Sequence, residues 1–249
     1  MADGSAHDHA TVAEIRARFD ADVERFSNLD TGQAAVVDAP LHLELVTRAA
    51  AEAANGESPA VVDVGCGAGN YTLKLLEALG AKRPSRIALV DLSRPMLDRA
   101  AQRVGAVYDG PIEPVQADVR GFDFGSERWD VVMAAQCLHH LRDEDQWRAV
   151  FAAVVRGLRP GGGFWISDSI AHDIPAVDRL MRQRWAEHLE SLGGATYRRK
   201  VEAYVEHEDT PRPLAWQLDL LRRSGLEAVD VLHASARFAS FGGVKRSTG

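Results

Sequence analysis

Residues 61–76 read VVDVGCGAGNYTLKLL, an apolar run that meets closely spaced glycines and then resumes at helical spacing. A strand, a glycine turn and a helix in that order make a crossover of the nucleotide-binding kind. Glycine lets a ligand approach the main chain, and the helix N-terminus offers unpaired N–H groups. The dinucleotide fingerprint is G-x-G-x-x-G, whereas this loop is Gly65-x-Gly67-x-Gly69 with Asn70 where the last glycine would fall. A pyrophosphate is therefore a poor match. Asp63 stands just before the turn, where its charge repels phosphates and suits a ligand carrying an ammonium or sulfonium group. The loop predicts a partly cationic ligand.

The whole chain sets outer bounds. Its 249 residues, 46% hydrophobic and 26% charged, have the proportions of a soluble globular protein and fit one large α/β domain. A net charge of -7 supplies no overall basic field, so neither DNA nor an anionic membrane is an expected partner. The apolar stretches are strand-sized and fall short of the ~20 residues of a membrane helix. The first residues, MADGSAHDHA, lack a basic region followed by an apolar core, so a cytoplasmic location is expected. Cys66 and Cys137 lack metal-site spacing and are expected to be buried thiols; no metal is expected.

Along the chain, residues 1–10 are small and polar, and disorder is expected there. Thr11-Val12-Ala13-Glu14 has the form of a capping box, followed by Ile15, Phe19, Val23 and Phe26 at helical spacing to about Asn28. A second helix is expected from Asp38-Ala39-Pro40 to Ala54, so that residues 11–55 form N-terminal helices over the ligand site. From residue 56 onward β-rich runs alternate with helices: AVVDV, YTLKLLEAL, RIALVD, PMLDRAAQRV, IEPVQAD, WDVVMAAQCL, DEDQWRAVFAAVVRGL, the turn RPGGG, and FWISD. That alternation predicts a doubly wound, parallel α/β sheet with its site at the loops after the strand ends. Residues 170–213 break the pattern and are read as a helical lid or substrate insertion. After a helix that ends at Gly225, EAVDVLHAS and ARFASFGGVKR read as a terminal hairpin.

Five motifs in order, VVDVGCGAG, ALVDLS, QADV, AAQCLHHL and LRPGGGF, resemble those of class I S-adenosylmethionine (SAM) dependent methyltransferases over roughly residues 60–168. The resemblance implies a Rossmann-like seven-stranded sheet ending in an antiparallel hairpin, with SAM as cofactor and S-adenosylhomocysteine (SAH) as product. It implies that Asp63, Gly65, Gly67 and Asn70 face the methionine part. Asp91 would take the ribose hydroxyls, and Leu92 and Met96 would pack on the adenine. Asp118 and the Val119 N–H would meet the adenine edge, and Gln136 would lie close to the donor sulfur. Taken singly, Asp91 or Asp118 reads as a turn or cap residue; their joint occurrence with the glycine loop favours the ligand reading.

Methyl transfer from a sulfonium needs a general base only when the acceptor must lose a proton. His139 and His140 after the fourth strand, and Asp168 and His172 after the fifth, are the candidates, against packing roles for the histidine pair and a cap for Asp168. In the insertion, Trp185, Tyr197, Arg199 and Tyr204 are the candidate substrate residues, although a basic run such as Tyr197-Arg198-Arg199-Lys200 is commonly a solvated face. The leading expectation is methyl transfer to a small-molecule acceptor at O, N or C, by a monomer or a homodimer. One alternative is a carboxy-SAM synthase-like enzyme of tRNA wobble-uridine modification. The C-terminal region is similar to those synthases, and Arg199 would then hold the extra carboxylate. Another is a non-catalytic SAM-binding partner subunit.

Overall fold

Successive side chains of a strand point to opposite faces, so a strand buried on both sides must be apolar at every position. β1 (Ala60–Val64) meets that condition at every position but Asp63: Val61 joins one hydrophobic layer, Val62 and Val64 join the other, and all five residues are buried. β2 (Arg86–Asp91), β4 (Trp129–Ala135) and β5 (Leu158–Ser169) have the same two-sided burial over most of their length. β3 (Ile112–Gln116) is an edge strand, half exposed and carrying Pro114, whose missing N–H suits an edge. With the terminal strands β6 (Leu226–Ser235) and β7 (Phe238–Lys245), they make a seven-stranded sheet in the order β3-β2-β1-β4-β5-β7-β6. All neighbours pair in parallel except β7, which runs antiparallel to both β5 and β6. This computed structural model describes residues 9–28 and 31–247.

Helices cover both faces. α3 (Ala39–Ala53), α4 (Asn70–Leu79) and α5 (Arg94–Gly105) pack Val46, Leu75 and Leu97 onto Val61, Leu89 and Met133. On the other face α6 (Glu144–Gly157) and α8 (Leu214–Ser224) pack Trp147, Phe151 and Leu221 onto Val62, Val132, Phe164 and Phe241. Chain order runs outward from β1 to β3 and then returns to β4, so the crevice outside the strand C-termini opens between β1 and β4.

The N-terminal segment differs from the single helix expected. α1 (Val12–Ala21) begins with the expected Thr11–Glu14 capping box but stops at Asp22, and the short α2 (Val23–Ser27) restarts the helix there. The break holds the Phe19 and Phe26 rings 5.4 Å apart. Of the expected disordered tail, residues 1–8 lie outside the described residues. Ala10 is buried and docked, with its N–H donating to the His207 carbonyl (3.0 Å) and its own carbonyl accepting from Arg142 Nη2 (2.6 Å).

The expected RPGGG turn is absorbed into the start of β5, where Gly161 takes φ +75° and the register against β4 shifts between Trp129 and Val131. The insertion after β5 is dominated by α7 (Pro175–Glu208), whose helical geometry breaks at Gly193 and Gly194. Arg198 Nη1 pairs with Glu190 Oε2 at 3.2 Å across that break, and the base of the insertion closes where Ala171 bridges to Pro213. Among the described residues no helix is long and apolar enough to cross a membrane.

Phe164 is fully buried and meets Phe151 edge to face with centroids 5.4 Å apart. Phe164→Ala is expected to lower unfolding free energy by about 3–5 kcal/mol in urea denaturation, whereas Leu180→Ala on the exposed side of α7 should change it by less than about 0.5 kcal/mol.

Candidate functional site

The loops at the C-terminal ends of β1 to β4 surround a cleft of about 1130 Å³, including its open mouth. All ten residues expected around the cofactor line it: Asp63, Gly65, Gly67, Asn70, Asp91, Leu92, Met96, Asp118, Val119 and Gln136. Two glycines earn their place differently. A Cβ on Gly65 (φ +64°) would stand 2.5 Å from Cys137 Cβ, so this glycine lets β1 and the chain after β4 approach. A Cβ on Gly67 (φ +50°) would meet nothing within 4 Å, so its bare backbone faces open space.

Asp63 is completely buried. Its Oδ2 accepts from Thr72 Oγ1 at 2.6 Å, while Oδ1 has no partner. Burial, with a smaller contribution from Asp91, pushes its carboxyl up to about 7 against the Thr72 hydrogen bond. Asp91 spans the glycine loop and the start of α5, accepting from the Gly67 N–H at 2.9 Å and from the Ser93 N–H at 2.8 Å. Burial raises its pKa, and those N–H groups oppose the rise.

Other residues are more committed than their sequence positions imply. Asn70 Nδ2 donates to the Phe26 carbonyl (2.9 Å) and its Oδ1 accepts from Arg103 Nη1 (2.7 Å), so it ties α2 to α5. Both Asp118 oxygens are engaged by the Arg120 guanidinium, which outweighs burial and holds the carboxyl below its ordinary range. Gln136 sits in the left-handed region at φ +52°, its N–H donating to the Ser167 carbonyl at 2.8 Å. A non-glycine residue held there is strained, a condition that concentrates at functional positions.

A second chamber of about 760 Å³ lies against the first, and Phe19, Phe26, Gln33 and Gln136 line both. It lies under α1, α2 and α7, with Trp185, Tyr197 and Tyr204, three of the four candidate substrate residues, in its wall. Arg199 is not there. It stands exposed on α7 with Nη2 on Thr196 Oγ1 at 3.3 Å, because the turn of the helix that aims Tyr197 and Tyr204 inward aims Arg199 outward. The arginines of the chamber are Arg18, Arg25 and Arg237. Sequence reading missed all three, and also Asp209. Arg18 and Arg25 lie on the amphipathic N-terminal stretch, but nothing local distinguishes them, and Arg237 is one residue of a two-residue hairpin turn.

Asp168 is fully buried behind the chamber and lines neither cavity. Its Oδ2 accepts from the Leu138 N–H (2.7 Å), and its Oδ1 accepts from the Ser169 N–H (2.7 Å) and from His139 Nδ1. His139 reaches the chamber with Nε2 3.6 Å from Asp209 Oδ1. Burial is the largest single influence and disfavours its charge. Asp209 and Asp168 together outweigh burial and raise the imidazole to about 9. Burial likewise lifts Asp209 to about 6 against the attraction of His139.

His140 behaves oppositely. Burial and the neighbouring His139 charge push it well below its ordinary value, its Nδ1 donates to the Glu208 carbonyl at 3.3 Å, and its Nε2 has no partner. His140 lines the first cleft. His139, His140 and Asp209 bring ligand atoms within 4.8 Å of one another, but a metal there would require the charged His139 to give up a proton. His172 donates from Nε2 to the Ala236 carbonyl at 2.9 Å and lines neither cavity.

A family model described as a methyltransferase domain matches residues 61–162. The carboxy-S-adenosyl-L-methionine synthase of Trichodesmium erythraeum (strain IMS101) is 30% identical over 186 residues, 73% of this chain and 70% of that protein. The trans-aconitate 2-methyltransferase of Azoarcus sp. (strain BH72) is 31% identical over 174 residues, 70% of this chain and 64% of that protein. Among solved structures, the DhpI–SAH complex is similar at a TM-score of 0.63 and 17% identity, covering 98% of this chain and 100% of that one. With that relative at 30% identity over 70% of its length, and the matched domain spanning the strands whose ends build the cleft, the chain belongs to the class I SAM-dependent methyltransferase family.

Proposed function

We propose that the chain binds SAM in the first cleft and transfers its methyl group to a small molecule held in the second chamber. The observation that carries this reading is the junction at Gln136, where the ligand cleft shares a wall with a second cavity under α1, α2 and α7. The residues of the cleft suit the cofactor. The orphaned Asp63 Oδ1 calls for a buried donor such as an ammonium, and the bare Gly67 backbone admits a ligand at van der Waals distance. Asp91 keeps acceptor capacity for ribose hydroxyls beyond its two N–H contacts, since a carboxylate offers about four lone-pair sites. Leu92 and Met96 flank the adenine. With Asp118 engaged by Arg120, the Val119 N–H is the more available contact for the ring edge. When bound, SAM supplies a methyl group on a positively charged sulfur, a reaction accelerated by orientation and exclusion of water.

The two histidines divide the handling of protons. His139, charged between Asp168 and Asp209 at neutral pH, acts in the chamber as a cation and hydrogen-bond donor. His140 is neutral, and the Nδ1–H donated to Glu208 leaves its Nε2 lone pair free to accept a hydrogen bond from the methyl acceptor, although the burial and neighbouring charge that keep it neutral also make it a weak base. The N-terminal helices serve as cover for SAM. They are pinned over the cleft by Arg99 on Glu24, Asn70 on Phe26 and Arg18 on Glu208, the last at 2.5 Å.

A second reading, formation of a carboxylated SAM, is favoured by the synthase relative at 30% identity. Under it Arg199 has to reach a cleft from another copy, since it is exposed and outside both cavities of its own chain. Mass spectrometry of the small molecule released when the purified protein is denatured separates the two: SAM or SAH supports methyl transfer, and a carboxylated SAM supports the synthase reading. Calorimetric titration should show SAM and SAH binding, with Asp91→Ala weakening both about tenfold or more; absence of binding to the intact protein would sink the proposal.

The charged His139 also makes stability depend on pH. Its folded-state pKa, about 9, lies above the ordinary 6.5. The stabilisation it contributes is therefore fully present below pH 6.5 and lost as pH rises through 9. The melting temperature should fall across that window, and His139→Gln should flatten the fall; an unchanged slope in the variant would remove His139 as its cause.

A further inference from the structure

Arg237 occupies the two-residue turn between β6 and β7, next to Ala236, which is held at φ +50°. Its residue exposure is only 5%, yet its side chain makes no hydrogen bond and no ion pair among the described residues, and its Nε is buried without a partner. The guanidinium lies 4.9 Å from the centre of the Trp185 ring, a contact that offsets only part of the cost of burying a charge. Burial is the largest influence against its charge, with Arg182 adding to it, while Asp209, Asp178 and Glu202 attract it from beyond pairing distance. Native proteins rarely leave a buried guanidinium uncompensated, and this one lines the chamber that meets the ligand cleft at Gln136.

Arg25 adds to the case. It lines the same chamber, its Nη2 is held by Asp22 at 3.0 Å, and its Nε is buried and unpartnered. Around these two cations the wall is aromatic, from Trp185, Tyr197, Tyr204 and Phe238.

We infer that Arg237 is the anchor of a carboxylate subsite, and that the methyl acceptor is a small organic acid with an apolar or aromatic body. The inference rests on the methyltransferase reading of the neighbouring cleft. A planar guanidinium matches a carboxylate with two parallel N–H···O bonds, which would supply the missing partner of Arg237. The apolar part of the acid would then fill the aromatic wall, with its reactive atom toward Gln136.

The test is calorimetric titration of the full chain, saturated with SAH, with benzoate, phenylacetate and succinate and with the corresponding amides. At least one acid should bind, with its amide at least tenfold weaker. Arg237→Met should lose that acid tenfold or more while keeping the SAH affinity and melting no lower than the unaltered protein. Arg237→Lys, which keeps the charge without the fork, should fall between.

Equal binding of acid and amide, undiminished acid binding by Arg237→Met, or no binding by any acid in the set would overturn the inference. A lower melting temperature for Arg237→Met would also overturn it, because it would mean that the guanidinium is compensated without a ligand. If SAH itself does not bind, the methyltransferase reading fails separately, and the acid–amide comparison on the unliganded chain still decides the role of Arg237.

Discussion

β1 pairs in parallel with β2 on one side and with β4 on the other, and the helices that follow β1 and β4 leave for opposite faces of the sheet. No chain crosses the gap between those departures, so a crevice forms at the strand ends without any residue having to be placed there for the purpose. Gly65 is the point at which this geometry is tightest. Any side chain there would collide with Cys137 on the segment leaving β4. The close approach brings the Asp63 turn and Gln136 into one wall, and the cleft and its junction with the second chamber depend on it.

What covers the crevice comes from elsewhere in the chain. α1 and α2 lie before the sheet and α7 after its fifth strand, and they are joined to one another and to the sheet by charged side chains. Arg18 clasps Glu208 through both of its oxygens, and Arg142 donates to the carbonyls of Glu208 and Ala10. These contacts link positions far apart in sequence. Partly exposed ion pairs of this kind contribute modestly, about 1 kcal/mol each, which suits a cover that has to admit ligands.

Electrostatics gives the two cavities different characters. The first presents Asp63 and Asp91, both raised by burial, and suits a ligand bearing positive charge. The second presents Arg237, Arg25 and His139, with the Asp209 carboxylate beside His139. Asp168 organises the boundary: by accepting from Leu138, His139 and Ser169 at once, it locks the end of β4 to the end of β5 and fixes the orientation of the imidazole. A donor and an acceptor of opposite charge would thus be sorted into adjacent spaces before they react.

Much of the sheet was legible because its signals are local. Short, nearly continuous apolar runs marked AVVDV and RIALVD, the capping box marked the start of α1, Gly225 marked the end of α8, and the glycines after β1 marked a turn that only small residues tolerate. The expected cofactor positions lie at strand ends, and strand order carries strand ends to one place, so they converge on one cleft. The chemistry of each side chain was not local. Asn70 proved to be a strut and Asp118 the partner of Arg120. Arg199 and Arg237 are both plain arginines in sequence, yet one faces solvent from a helix and the other is buried at a hairpin turn. Which charge is left without a partner depends on groups tens to hundreds of residues away. Periodicity along the chain determined the layers, and only the packing of those layers decided which polar atoms remain for a ligand.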